Sequence, residues 1–249
     1  MKHAEFPRRF ALACALLLAV TAAACSSTAV APEPSKVTPS ANSEPITIHV
    51  DDVALEGRLF GAEHDVAVIL SHMRRADQTA WFDFAMELAD AGYAALTFNF
   101  RGYGESEGDQ DFDLLDEDLL AAVAFVRDRG SSQVFLLGAS MGGTATLVVA
   151  EQADVDGAVA VSAPATFAEQ DALAAVAAIA QPKLLIASED ATGDMVSLDE
   201  LLEAARVPKE RATYSGMAHG TDLFDPELSE HHTAVRERVL RFLEEHRNP

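Results

Sequence analysis

The stretch that decides the fold is LLGASMGGTA, residues 136–145. It sets Ser140 between Gly138 and Gly142. An apolar run, residues 134–137, precedes it, and a segment of helical character follows. Strand, sharp turn and helix in succession crowd the backbone. A side chain two residues to either side of the serine would collide with the neighbouring strand or helix, so glycine is required there. Ser140 is either a nucleophile or simply a serine in a glycine-rich turn, and a nucleophile needs a base, an acid and oxyanion donors from elsewhere in the chain.

Outward from this turn, strand and helix signals alternate. ITIHV and ALEGRLF read as an opening pair of alternating strands. VAVILS, residues 66–71, is apolar throughout, as a strand buried on both faces must be. A helix over TAWFDFAMELADAG ends at Gly92, and AALTFNF is the next buried strand. FDLLDEDLLAAVAFVRDRG is an amphipathic helix, QVFLLG the strand before the turn, and MGGTATLVVAEQA the helix after it. Then follow the strand GAVAVSAP, a helix over FAEQDALAAVAAIA, the strand KLLIAS, a helix over SLDELLEAAR, the strand ERATYSG and a last helix over roughly residues 229–246. The pattern predicts an α/β fold with about eight strands in a mostly parallel sheet and helices on both faces. The short late connections leave little or no room for a cap domain.

The elbow GASMGG and its strand–helix context resemble the α/β-hydrolase superfamily, in particular its small bacterial members. The resemblance implies a chain order of serine, acid, histidine. His219, in YSGMAHGTDLF after the last strand, matches the family's histidine turn. The acid falls in SEDATGD, where Glu189, Asp190 and Asp194 are candidates. Asp190, just past the strand end, is the expected triad acid. Many relatives carry a second aspartate directly after it, and here that place is Ala191. The oxyanion donors implied are the backbone N–H groups of Met141, after the nucleophile, and Met73, in the loop SHMRRADQTAW. His72 in that loop is expected to be structural. Arg101, Gly102, Gly104 and Ser106 in FNFRGYGESEG match another loop of the family, and Arg101 is expected to brace a buried bend. The adjacent Arg74 and Arg75 sit in the oxyanion loop. They are expected to pair with surface acids such as those of residues 105–118, with recognition of an anionic substrate group as the other reading.

The N-terminus carries a different signal. Lys2, Arg8 and Arg9 precede an apolar run over residues 10–24, followed by Cys25. This reads as a secretory signal over residues 1–24. The run is shorter than the roughly 20 residues that cross a membrane comfortably. TAAACSS resembles a bacterial lipoprotein lipobox with Cys25 as the lipidated residue, though Ala22 stands where leucine is usual. Residues 25–45, rich in Ser, Pro, Ala and Thr, read as a tether, and residues 46–249 as the hydrolase domain. Cys14 would leave with the signal, so the mature chain cannot form an intramolecular disulfide.

The formal charge is −22, and cleavage after residue 24 removes three cations and one acid, leaving about −24. Such a field repels nucleic acid. No Cys/His set has zinc spacing and no glycine loop cradles phosphate, so no cofactor or metal is expected. These features together predict a serine hydrolase that cleaves a small ester or thioester through an acyl-enzyme, exported and tethered to the cell envelope through a lipid anchor. A peptidase or amidase of the same fold, and a non-catalytic surface lipoprotein that uses the fold for binding, are the other readings of function, and ordinary signal cleavage near Ala24, giving a secreted or periplasmic protein, is the other reading of location.

Overall fold

The computed structural model describes residues 43–248. The expected signal, Cys25 and all of the tether but residues 43–45 lie outside them.

The sheet opens with a hairpin, β1 (Ser43–Val50) and β2 (Val53–Phe60), turning at Asp51 with φ 48°. The strand thus starts three residues before the expected domain start at Ile46. The long partner strand β2 supplies the reason. Ser43 pairs opposite Phe60, and Arg58 donates a 3.2 Å bond to the Ser43 hydroxyl. Pro45 is tolerated because β1 is an edge strand.

β3 (Val66–Ser71), α1 (Phe82–Asp90), β4 (Ala94–Phe98), α2 (Leu115–Asp128), β5 (Gln133–Ala139), α3 (Met141–Gln152) and β6 (Gly157–Val161) follow. A small hairpin, β7 (Thr166–Phe167) and β8 (Gln170–Asp171), leads to α4 (Ala172–Val176). β9 (Lys183–Ser188), α5 (Thr192–Ala204), β10 (Lys209–Tyr214) and α6 (His232–His246) complete the order. The eight long strands run β1-β2-β4-β3-β5-β6-β9-β10, parallel from β4 to β10. This is the α/β-hydrolase fold, without a cap among the described residues.

Alternation along the central strands divides the core into two layers. Ala67 and Ile69 of β3, and Val134 and Leu136 of β5, face the layer formed with α2, α3 and α5. Val68 and Leu70, and Phe135 and Leu137, face the layer of α1 and α6. Burial on both faces explains the unbroken apolar strands.

One expected helix is largely absent. FAEQDALAAVAAIA begins as the β7–β8 hairpin, turning at Ala168 with φ 51°, and only Ala172–Val176 is helical. Asp171 caps that helix by accepting from the Ala174 N–H at 2.9 Å. Phe167 docks edge-on to Phe112 at 5.4 Å, so a tertiary contact outweighs the helical propensity of the alanines.

The topology places the site. β3 lies between β4 and β5 in the sheet, so the chain leaves β3 towards β4 while β5 lies on its other side. α1, after β3, joins one core layer, and α3, after β5, joins the other. Loops that part at such a switch point open a crevice at the carboxyl ends of the strands. Ser71 pairs with Gly138, which brings the loop after β3 beside the elbow after β5.

Candidate active site

Ser140 sits between β5 and α3 with φ 50° and ψ −118°, a left-handed conformation costly for a side-chain residue. Its neighbours have no space to give. A Cβ on Gly138 would lie 2.1 Å from the Gly142 carbonyl oxygen, and one on Gly142 would lie 2.5 Å from that of Ser71. The crowding expected at the elbow is therefore real, and part of it comes from β3 rather than from the elbow itself.

His219 follows β10. Its Nε2 lies 2.8 Å from the Ser140 hydroxyl, and its Nδ1 lies 2.8 Å from Oδ2 of Asp194. A carboxylate only accepts, so Nδ1 carries the proton, and Nε2 is free to accept from Ser140. The hydrogen-bonded Asp194 carboxylate raises the His219 pKa above its ordinary 6.5, against the opposing effect of partial burial.

Asp190, the acid expected from the sequence, is not at the imidazole. Its carboxylate accepts from the Gly216 N–H at 2.8 Å, and its own N–H donates to the Gly216 carbonyl at 3.1 Å. It staples the strand end to the histidine loop. Glu189 is also engaged elsewhere, accepting from Thr213 Oγ1 at 2.8 Å. The correction follows from where the helix begins. α5 starts at Thr192, not near Ser197, and its first turn carries Asp194 back over the strand ends. A carboxylate there also complements the helix dipole.

Two residues that sequence reasoning missed hold the histidine loop. The Ser188 hydroxyl, at the end of β9, donates to the Ala218 carbonyl. The Ser162 hydroxyl, just past β6, accepts from the Gly220 N–H at 3.1 Å. Both serines are buried, and Ser162 has φ 49°. The backbone on each side of His219 is thereby pinned to the sheet. The only signal in the sequence is a serine at the end of each apolar strand. Ser162→Ala and Ser188→Ala are each expected to lower kcat on the order of tenfold, because small misplacements of a base are costly. KM is expected to change much less, and threonine at either position should restore part of the rate. Steady-state kinetics that showed a KM effect alone would contradict this positioning role.

His72 is buried. Its Nε2 accepts from the Phe100 N–H at 3.2 Å, so its Nδ1 carries the proton and donates to the Met73 carbonyl at 2.9 Å. Burial lowers its pKa to about 4, so the ring stays neutral and braces the loop after β3. Arg101 grips the fully buried Asp118 through Nε and Nη2 at 2.9 and 2.6 Å, as a brace for the bend. Gly104 in the same loop packs where a Cβ would lie 2.1 Å from Asn99 Nδ2.

A cavity of about 460 Å³ is lined by Met73, Arg74, Arg75, Ser140, His219 and Asp222. Met73 thus lies on the same cavity as the nucleophile candidate, and Met141 opens α3 with its first-turn N–H groups. A hollow of about 620 Å³ at the other ends of the strands is lined by Asp65, Ser132, Gln133 and Glu244, with no serine–histidine pair. Among the described residues no group of three or more His, Cys, Asp or Glu side chains is placed to hold a metal ion. The expected pairing of Arg74 and Arg75 with surface acids does not occur: neither makes an ion pair among the described residues.

The family model described as Hydrolase_4, serine aminopeptidase S33, matches residues 62–185. That span contains the loop after β3 and the elbow and stops before Asp194 and His219. The Escherichia coli O157:H7 protein YfhR is 29% identical over 117 residues, 45% of this chain and 41% of that protein, so the match covers less than half of the relative. An esterase from Pyrococcus furiosus superposes with a TM-score of 0.71 at 21% identity, over 83% of this chain and 91% of that one. An α/β hydrolase from Penicillium sp. sh18 gives 0.71 at 19% identity, over 82% and 98%. A dienelactone hydrolase from Anabaena variabilis gives 0.69 at 20%, over 83% and 98%. Sheet order, elbow geometry and structural similarity agree that the chain has the α/β-hydrolase fold, and just under half of it, residues 62–185, matches a hydrolase family model.

Proposed function

We propose that the protein is a serine hydrolase that cleaves a small ester or thioester through an acyl-enzyme. The observation that carries this reading is the continuous hydrogen-bonded line Ser140–His219–Asp194, with both links at 2.8 Å. Ser140 Oγ bonds to the substrate carbonyl carbon while His219 Nε2 takes its proton. The carbonyl oxygen becomes an oxyanion facing the N–H groups of Met73 and Met141. As the tetrahedral intermediate collapses, the bond to the leaving oxygen or sulfur breaks, and the imidazolium returns the proton to it. Water then repeats the sequence on the acyl-enzyme, giving the acid and free Ser140. Asp194 holds the Nδ1–H tautomer and stabilises the imidazolium.

The test is a panel of 4-nitrophenyl esters of graded chain length, run beside labelling with a fluorophosphonate. Turnover of the short esters and a single adduct on Ser140 are expected. Folded protein that neither turns over esters nor takes the label would favour a binding module. The aminopeptidase description of the matched family model favours a second reading, a peptidase. Aminoacyl nitroanilides cleaved faster than every ester would select it.

We also propose that the protein is exported and held at the cell envelope by lipidation of Cys25. Among the described residues no helix is long and apolar enough to cross a membrane. Two acyl chains are the number that stable anchoring takes. Cys25→Ala is expected to move the protein from the membrane fraction to the soluble fraction, or to leave the precursor uncleaved. Wild-type protein found soluble, with a mature N-terminus other than residue 25, would refute the anchor.

A further inference from the structure

Arg74 and Arg75 stand out in a chain with 40 acidic and 18 basic residues. Arg101, Arg127, Arg129, Arg211, Arg236 and Arg238 all reach carboxylates. Arg74, Arg75, Arg206 and Arg241 make no ion pair and stack on no ring among the described residues, and of these four only Arg74 and Arg75 line the cavity that holds Ser140. Both line the 460 Å³ cavity with Ser140 and His219, and both are exposed.

Their backbone is fixed. The Tyr103 hydroxyl donates to the Arg74 carbonyl at 3.1 Å, and the Ala76 N–H donates to the Met73 carbonyl at 3.1 Å. Tyr103 is itself buried, edge-on to His72 at 4.6 Å. The loop is anchored on its inner side, and its two guanidinium groups are left over the cavity. The cavity also holds Asp222, whose N–H donates to the His219 carbonyl at 3.1 Å. Among the cavity-lining side chains there are thus two cations and one carboxylate, with the Asp194 carboxylate engaged behind His219, in a molecule whose overall field repels anions.

We propose that Arg74 and Arg75 form a subsite for a carboxylate on the substrate, so that the preferred esters are half-esters or esters of hydroxy acids that carry a negative charge near the scissile bond. A planar guanidinium binds carboxylate through two parallel hydrogen bonds. This inference rests on the ester-hydrolase reading.

Two matched pairs test it, one with the charge on each side of the bond. 4-Acetoxybenzoate is compared with its methyl ester, and the 4-nitrophenyl monoester of glutarate with its methyl-capped form. Wild-type enzyme is expected to prefer the anionic member of at least one pair by about tenfold in kcat/KM at low ionic strength, and added salt should erode that preference. In R74Q/R75Q the anionic-to-neutral ratio is expected to fall by about tenfold, chiefly through KM. Should the double variant fail to fold, R74Q and R75Q singly, and the salt dependence of the wild type, carry the same comparison. No anionic preference in either pair, or a preference unchanged by the substitutions, overturns the subsite. If the neutral esters are turned over and Ser140 is labelled, that result leaves the ester-hydrolase reading standing. If none of the four esters is turned over and no label is taken, the ester-hydrolase reading falls first.

Discussion

Ser140→Ala is expected to lower kcat for every ester substrate on the order of 10³-fold or more, with circular dichroism and melting temperature close to wild type. In the proposed mechanism the rate falls because, among the described residues, no hydroxyl other than that of Ser140 is bonded to His219 Nε2 in position to form the acyl-enzyme. The fold is unaffected because the left-handed turn is enforced by close packing at Gly138 and Gly142, not by the serine hydroxyl. Alanine carries the same Cβ at φ 50° and adds no new strain. The hydrogen bond lost is a single one at a half-buried position, a modest stability change of about 1 kcal/mol. Turnover retained by the purified variant, with the same rate in independent preparations, would exclude Ser140 as nucleophile. The fluorophosphonate adduct should vanish in the same variant.

Asp194→Asn should be the next most damaging change, by on the order of 10³–10⁴-fold in kcat. The amide preserves shape but presents an N–H where His219 needs an acceptor, which favours the wrong tautomer. The pH profile gives an independent readout. His219 must be neutral at Nε2 to accept the serine proton, so kcat/KM falls as pH drops through its pKa. That pKa is raised by the Asp194 carboxylate, which places the acid limb above the ordinary 6.5. Removal of the negative charge takes away the raising influence and leaves the lowering effect of burial, so the residual activity of Asp194→Asn should have its acid limb at lower pH. Asp190→Asn, which affects only the staple to Gly216, is expected to stay within about tenfold of wild type. The reverse ranking of the two variants would return the acid role to Asp190.

These two variants mark the boundary between what was legible in the chain and what was not. The elbow could be read because its requirements are local. A strand, a serine between close-packed glycines and a helix occupy ten consecutive residues, and backbone sterics act over that range. The buried strands could be read for a similar reason, since burial on both faces leaves an unbroken apolar run such as residues 66–71. His219 was accessible through the resemblance to the α/β-hydrolase family, which implies a histidine in a glycine-flanked turn after the last strand, and the structural roles of His72 and Arg101 through the family loops that theirs resemble.

The acid was not accessible in this way. Glu189, Asp190 and Asp194 lie within six residues, and their chemistry is the same. Which one meets the imidazole depends on where α5 begins and on how the loop after β10 crosses the strand ends, and both are set by packing between segments distant in sequence. The helix expected over FAEQDALAAVAAIA failed for a related reason: Phe167 found Phe112 more than fifty residues away. The serines that pin the histidine loop and the unpaired Arg74 and Arg75 are likewise facts about neighbours. Short-range sterics and periodic burial wrote the sheet and the elbow into the sequence, and the histidine turn was legible through the family resemblance. Choosing Asp194 as the partner of His219 required the folded chain, because a hydrogen bond between residues 25 apart is decided by three-dimensional distance and not by residue type.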